Sequence, residues 1–180
     1  MVIRAWRFNT YLCLALLLAA ALGCQTTTPE EKQQKKQKAA LRVHLEAAAD
    51  GTPFNQPVSI GRTSPIAVNI HRNPFLTEEN VAEARIIEAV GGFALQIQFD
   101  QRGTWLLEQY TGSNPRRRLA IYTQFGEDLE FARWLAAPMI YQRISSGLLT
   151  FTPDADREET EKISHGLNNY AKDNQPKPIK

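Results

Sequence analysis

Cysteine is almost absent from this chain of 180 residues, and both copies, Cys13 and Cys24, fall within its first 24 positions. The rest of the sequence therefore offers no thiol nucleophile and no disulfide. Histidine is scarce too. His44, His71 and His165 lie far apart, without the close spacing of a metal site, and each is read as a strand or surface residue, so no metal is expected. Gly-x-Ser-x-Gly and His-Glu-x-x-His motifs are missing, and Gly91-Gly92 suits a turn rather than a phosphate loop. Glu158, Glu159 and Glu161 belong to a polar helix face, solvated rather than catalytic. No catalytic residue and no cofactor is assigned, and a non-enzymatic protein is expected. Long apolar runs are also lacking: the one clear run, Tyr11 to Gly23, has 13 residues, against the roughly 20 that a membrane-spanning helix needs.

That run explains itself through its flanks. Arg4 and Arg7 precede it without an acidic residue, and it ends in small residues, "ALGC". A basic start, a short apolar middle and a small-residue end describe a secretory signal rather than an element of a fold. The ending resembles the lipobox of bacterial lipoproteins, with Ala21 where leucine is commonest. The resemblance implies a signal peptide over 1–23, cleavage before Cys24 and lipid on that cysteine, the chain's membrane partner. It places the protein in the cell envelope, on the periplasmic side, and Gln25 after the cysteine favours the outer membrane over the inner.

Processing changes the charge argument. The full chain carries 21 basic and 19 acidic residues, and loss of Arg4 and Arg7 leaves 19 of each. A neutral mature protein has no electrostatic warrant for binding nucleic acid. Residues 24–39, with "KQQKKQK" at their heart, are polar enough to predict a flexible tether. The arginine run Arg116 to Arg118 reads as a solvated corner, with an anion site as the sharper alternative. Residues 171–180, interrupted by proline, read as a frayed tail.

Residues 40–170 remain for one domain. Strands are expected over Leu41–Ala47 and Ile66–His71, with the Gly- and Pro-punctuated 51–65 as a loop. In "FALQIQFD", Phe93, Leu95, Ile97 and Phe99 share one face, as a half-buried strand requires. "EARIIEAVGG" predicts its hairpin partner. Asp100 is a suitable N-cap for a helix with Leu106 and Tyr110 on its apolar stripe and Gly112 as its stop. Three strand-like runs follow, "RRLAIYTQF", "RWLAAPMIYQRI" and "GLLTFT". A last helix is expected from Thr152, with Pro153 at its first position, to about Tyr170, burying Ile163, Leu167 and Tyr170. The class is α+β: a single, mostly antiparallel sheet with helices packed on one face.

Three blocks in order resemble the periplasmic P1 head subdomain of SecD, the accessory protein of bacterial preprotein export. They are "LTEENVAEARI", "FALQIQFDQRGTWLLEQYTGSNPRRRLAIY" and "WLAAPMIYQRISSGLLTFTPDADREETEKISHGL", together covering 76–167. In the last, Ala137-Pro138 stands for the family's small-residue–Pro pair and Ile144 to Gly147 for its Ile-x-x-Gly. Two departures matter. No permease-like apolar run follows the signal, and "QFGEDLEFA" inserts acidic residues where the family has a short turn. The resemblance implies a protein-contacting head domain, not a pump. Its partners would be export substrates, the translocon or an envelope complex. The run Trp134 to Tyr141 is the candidate strand edge for accepting an extended chain. Two alternatives stand beside this reading. One is an assembly lipoprotein of an envelope complex; the other is a small-molecule or glycan-binding module using some of Trp105, Tyr110, Tyr122, Trp134 and Tyr141.

Overall fold

The computed structural model of the protein describes residues 28–174; the signal run and Cys24 lie outside them. The elements are α1 (Pro29–Lys36), β1 (Lys38–Leu45), β2 (Asn55–Ile60), β3 (Ile66–His71), β4 (Leu76–Thr77), a 3-10 turn (Glu78–Asn80), β5 (Val81–Ala89) and β6 (Gly92–Phe99). They continue with α2 (Gln101–Ser113), β7 (Leu119–Gly126), β8 (Phe131–Ala136), β9 (Leu148–Phe151) and α3 (Arg157–Asn174).

The class is α+β and every strand pairing is antiparallel, as expected, but the strands form three sheets rather than one. A four-stranded sheet runs β4-β1-β7-β8, a hairpin pairs β2 with β3, and a three-stranded sheet runs β5-β6-β9. The reason lies in how many faces need cover. Leu95, Ile97 and Phe99 of β6 share a core with Leu41, Val43, Ile121 and Phe125 of the larger sheet. One flat sheet covered only by two helices would leave many of these side chains wet, whereas sheet facing sheet buries both sets. Ile163 and Leu167 of α3 and Leu107 of α2, all fully buried, complete that core. Each such side chain contributes about 1.5–3 kcal/mol of transfer free energy.

The larger sheet is covered on its other face as well. His44 and Ala120 alternate with core residues, so they point away from the main core. There Ile60, Val68 and Ile70 of the β2–β3 hairpin close over Ala120, with Trp134 packed beside them. The stretch 51–65 is therefore not all loop. Pro57 sits in β2 opposite Asn69, which a two-stranded ribbon tolerates because the missing N–H faces its free side.

Other expectations also shift. The tether expected over 24–39 contains α1 and the start of β1. Thr28 and Glu31 cap the helix reciprocally, at 3.3 and 3.2 Å, and Glu30, Glu31, Lys35 and Lys36 suit its dipole. None of the helix's residues is buried, and its backbone is regular where an unstructured segment is expected. In α2, Asp100 accepts from the Gly103 N–H at 2.6 Å as expected, but the buried stripe is Gly103, Leu107 and Thr111 rather than Leu106 and Tyr110. A hydroxyl decides this. Thr111 donates to the Leu107 carbonyl at 2.7 Å and accepts from the Ile144 N–H at 2.9 Å, tying helix to neighbouring loop. The helix also runs one residue past Gly112.

α3 starts at Arg157, four residues beyond the proposed Pro153 start. The reciprocal pair Asp156–Glu159, at 2.8 and 3.1 Å, is the stronger cap, which leaves 152–156 outside the helix. The same helix continues through Asn174, so 171–174 of the expected tail are helical. Ile163 and Leu167 are fully buried as expected, while Tyr170 is half-buried.

α3 can lie against β1 only because of Gly166. A Cβ there would come within 2.4 Å of the Lys38 carbonyl carbon and 2.5 Å of the Ala39 nitrogen. Gly112, in the exposed last turn of α2, would place a Cβ 3.4 Å from the flexible Arg143 side chain. Gly166→Ala should lower the free energy of unfolding by about 2 kcal/mol or more. Gly112→Ala should leave it unchanged or raise it by up to about 1 kcal/mol. Urea denaturation followed by circular dichroism would show both.

Candidate functional site

β8 is the outer strand of the four-stranded sheet. Its inner side pairs with β7 from Phe131↔Phe125 to Ala136↔Ile121, with an irregularity between Ile121 and Tyr122 where Leu135 is the extra residue. Pro138, which has no N–H to donate, follows the strand and offers its carbonyl to the Leu119 N–H at 2.9 Å. The chain then stays beside β7's entry: Ile140 and Arg117 pair at 2.8 Å. The Trp134 to Tyr141 run is thus paired on one side and borders a groove on the other.

The groove has a volume of about 480 Å³. Leu135 to Pro138 form one bank; Ile60 and Ile66 come from the hairpin, Phe151 from the end of β9 and Pro153 from the link between β9 and α3. An apolar trough beside an outer strand has the geometry for an extended peptide, with alternate side chains entering the trough.

A strap partly covers it. The Asp154 N–H donates to the Leu135 carbonyl at 2.7 Å, occupying one outward-facing acceptor of β8. The Asp154 carboxylate accepts from the Arg62 N–H at 2.8 Å and from its Nε at 3.3 Å. Glu159 receives Arg133 at 2.6 Å and lies 3.9 Å from Arg62. These four side chains link the hairpin, β8 and the start of α3 across the trough's end. Sequence reasoning missed Arg62 and Asp154, since partners 92 residues apart leave no local signal, and Glu159, expected on a solvated face, is instead half-buried against Arg133.

The other singled-out residues do not converge on one site. Tyr110 stacks on Phe75 at 4.2 Å, Tyr122 packs against Trp134 at 5.1 Å, and Tyr141 is largely exposed. Trp105 lines a separate groove on α2. In the arginine run, Arg117 and Arg118 donate to the carbonyls of Glu46 and Ala137, at 3.1 and 2.9 Å. These bonds brace a corner, with Arg116 at a positive φ of 65°. Cys24 lies outside the described residues. Among those residues, no group of three or more His, Cys, Asp or Glu is placed to hold a metal ion.

The histidines stay apart in role. His44 is buried, with Nδ1 2.8 Å from the His71 carbonyl oxygen, so Nδ1 carries the proton and donates. This bond and the Ala47 N–H to Asn69 carbonyl bond, 2.8 Å, fasten the hairpin to β1. Burial holds the His44 imidazole below its ordinary value; the bond to His71 opposes the shift and the Arg42 charge adds to it.

No protein-family model matches the chain, and no curated protein matches it in sequence. Solved structures do. A membrane component, SecDF, that enhances protein export superposes with a TM-score of 0.53 at 19% identity, over 82% of this chain and 70% of that one. SecDF in its super-membrane-facing form gives 0.45 at 16% identity, over 92% of this chain and 33% of that one. Translocon-associated SecDF from Thermus thermophilus gives 0.40 at 17% identity, over 91% and 34%. The chain spans about a third of the length of these last two. The first comparison shows a SecDF-like α+β fold.

The His44 environment sets a pH dependence. A base whose folded pKa is depressed favours folding fully above its unfolded value, near 6.5, and stability falls as pH drops through that value toward the folded one. Thermal melts should therefore show Tm declining as pH falls below the unfolded value near 6.5. His44→Gln, whose amide can still donate to the His71 carbonyl, should flatten that part of the curve. An unchanged slope would assign the effect to other groups.

Proposed function

We propose that this is a lipid-anchored, non-enzymatic protein of the cell envelope whose SecDF-like domain binds extended polypeptide in preprotein export. The observation that carries the reading is the fold similarity to a SecDF component described as enhancing protein export. The lipobox-like "ALGC" supports the anchor: lipid on Cys24 would hold the domain at the membrane, periplasmic side, with Gln25 favouring the outer membrane. More than one acyl chain is needed for stable anchoring, as lipoprotein processing supplies.

The binding surface in this reading is the β8 edge and its trough. An incoming extended segment adds main-chain hydrogen bonds to the outer side of β8 and lays apolar side chains between Ile66 and Phe151. It must displace the Asp154 N–H from the Leu135 carbonyl, so the ion pair that holds Asp154 in place opposes entry. Exposed pairs of this kind contribute about 0.2–1 kcal/mol.

Removing the Arg62–Asp154 contact should therefore favour binding. Asp154→Ala is expected to tighten the affinity for a labelled, unfolded apolar peptide by about two- to fivefold, read by fluorescence anisotropy. High salt should produce a similar change in the unaltered protein. A photo-crosslinker at Ala136 should capture the same peptide. No crosslink at Ala136, with a stoichiometric envelope complex captured instead, would replace the export reading by the assembly one. Intact mass of the protein from native membranes tests the anchor: a new N-terminal Cys24 bearing lipid is expected, and an unlipidated soluble product would remove it.

A further inference from the structure

α2 carries a tryptophan that the fold does not use. Its buried stripe is Gly103, Leu107 and Thr111, while Trp105 projects from another side and remains 60% exposed. Burying an indole is among the largest single gains available to a fold, and this one stays wet although the same helix has a good apolar stripe. Trp105 borders a groove of about 500 Å³, within the usual size of small-molecule sites. The facing wall is the loop at Gln142 and Arg143. Gly112 and Ser113 keep the floor low, since neither carries a bulky side chain.

The polar groups of this groove are of a particular kind. Gln109 and Gln142 offer planar amides, each with donors and acceptors side by side. Glu108 and Arg143, the charged pair of the wall, form an ion pair with each other, so their charges largely cancel within the groove. A phosphate or carboxylate ligand would have to break that pair to find its cation, and a cationic ligand its anion. No strand borders the groove, because its lining comes from α2 and the loops at Pro115 and at 142–143. Strand addition is therefore not available to a peptide here.

An aromatic face, planar amides and balanced charge match one ligand chemistry. A hexopyranose presents an apolar C–H face that stacks on an aromatic ring, and equatorial hydroxyls whose spacing suits an amide's paired donor and acceptor. From this we infer that the Trp105 groove is a binding site for an uncharged saccharide of one or two hexose units. The sugar ring stacks on the Trp105 indole, and its hydroxyl or acetamido groups bond to Gln109 and Gln142. The site shares no lining residue with the β8 trough, and the inference does not rest on the export reading.

The test uses the mature protein labelled with nitrogen-15, titrated with N,N′-diacetylchitobiose and, separately, with cellobiose. The indole N–H signals of Trp105 and Trp134 are followed, and Trp105→Ala assigns the first. A saturable shift of the Trp105 signal with either disaccharide is expected, with the Trp134 signal unmoved. Gln142→Ala should weaken that binding about tenfold, and Trp105→Phe should retain part of it. The exposed position of both residues keeps these variants folded, which the dispersion of the same spectra verifies. No shift with either sugar at millimolar concentrations would overturn the assignment. So would a shift of undiminished affinity in Gln142→Ala, or displacement of the Trp105 signal by an apolar peptide and not by sugar.

Discussion

The fold depends on the central strand pair. β1 and β7 run antiparallel over eight consecutive partners, from Lys38↔Gly126 to Leu45↔Leu119, and both faces of that pair are covered. Leu41, Val43 and Ile121 face the main core, while His44 and Ala120 face the hairpin. Without a disulfide in this part of the chain, burial on two sides has to hold the pair. Everything else is placed by it. α3 approaches β1 to the point where Gly166 has no room for a Cβ, and the hairpin closes over the other face through His44 and Ala47. The β5–β6–β9 sheet turns Leu95, Ile97 and Phe99 into the same core that Val43 and Phe125 line.

The same constraint leaves β8 on the outside. With β1 and β7 paired to each other, and β4 only two residues long, β8 takes the remaining side of β7 and its outer groups face the trough. Outer strands invite unwanted pairing and are commonly blunted. Here an extra residue at Leu135, Pro138 just beyond the strand and the Asp154 strap all limit the exposed edge. An edge bordered by ion pairs differs from one sealed by a packed helix, because salt screens the first and leaves the second unchanged.

How much of this could be read from the residues follows from the range of the interactions. Alternation in "FALQIQFD" marks β6, and the bounds Ile66–His71 read from the sequence are those of β3, because a half-buried strand repeats every second residue whatever it meets later. The Asp100 cap was legible for the same local reason. Pattern failed where a distant partner decides. Thr111 is buried because Ile144 needs its hydroxyl, and β2 is a strand because Ile60 and Val58 cover Ala120. α3 begins late although Pro153 would have started it well, since the strap bonds to Leu135. Thr28–Glu31 was the exception, a local cap overlooked within a stretch whose polarity suggested no structure.

Reading the site was harder still, because grooves belong to surfaces assembled from several segments. Trp134 to Tyr141 shows as an edge through its proline and its apolar run, but Ile60 of the opposite bank lies in the Gly- and Pro-punctuated stretch 51–65, which reads as a loop. The five aromatics considered together separate for a physical reason. Tyr122 and Trp134 occupy adjacent strands on the hairpin side of the sheet and are needed to cover it. Tyr110 stacks on Phe75 at the rim of the main core. Trp105, one helical turn and more away from Tyr110 on α2, has no such partner. Aromatic residues that cover a sheet are fixed by packing and cannot turn toward a ligand. Trp105 stays free of such packing and faces a groove on α2.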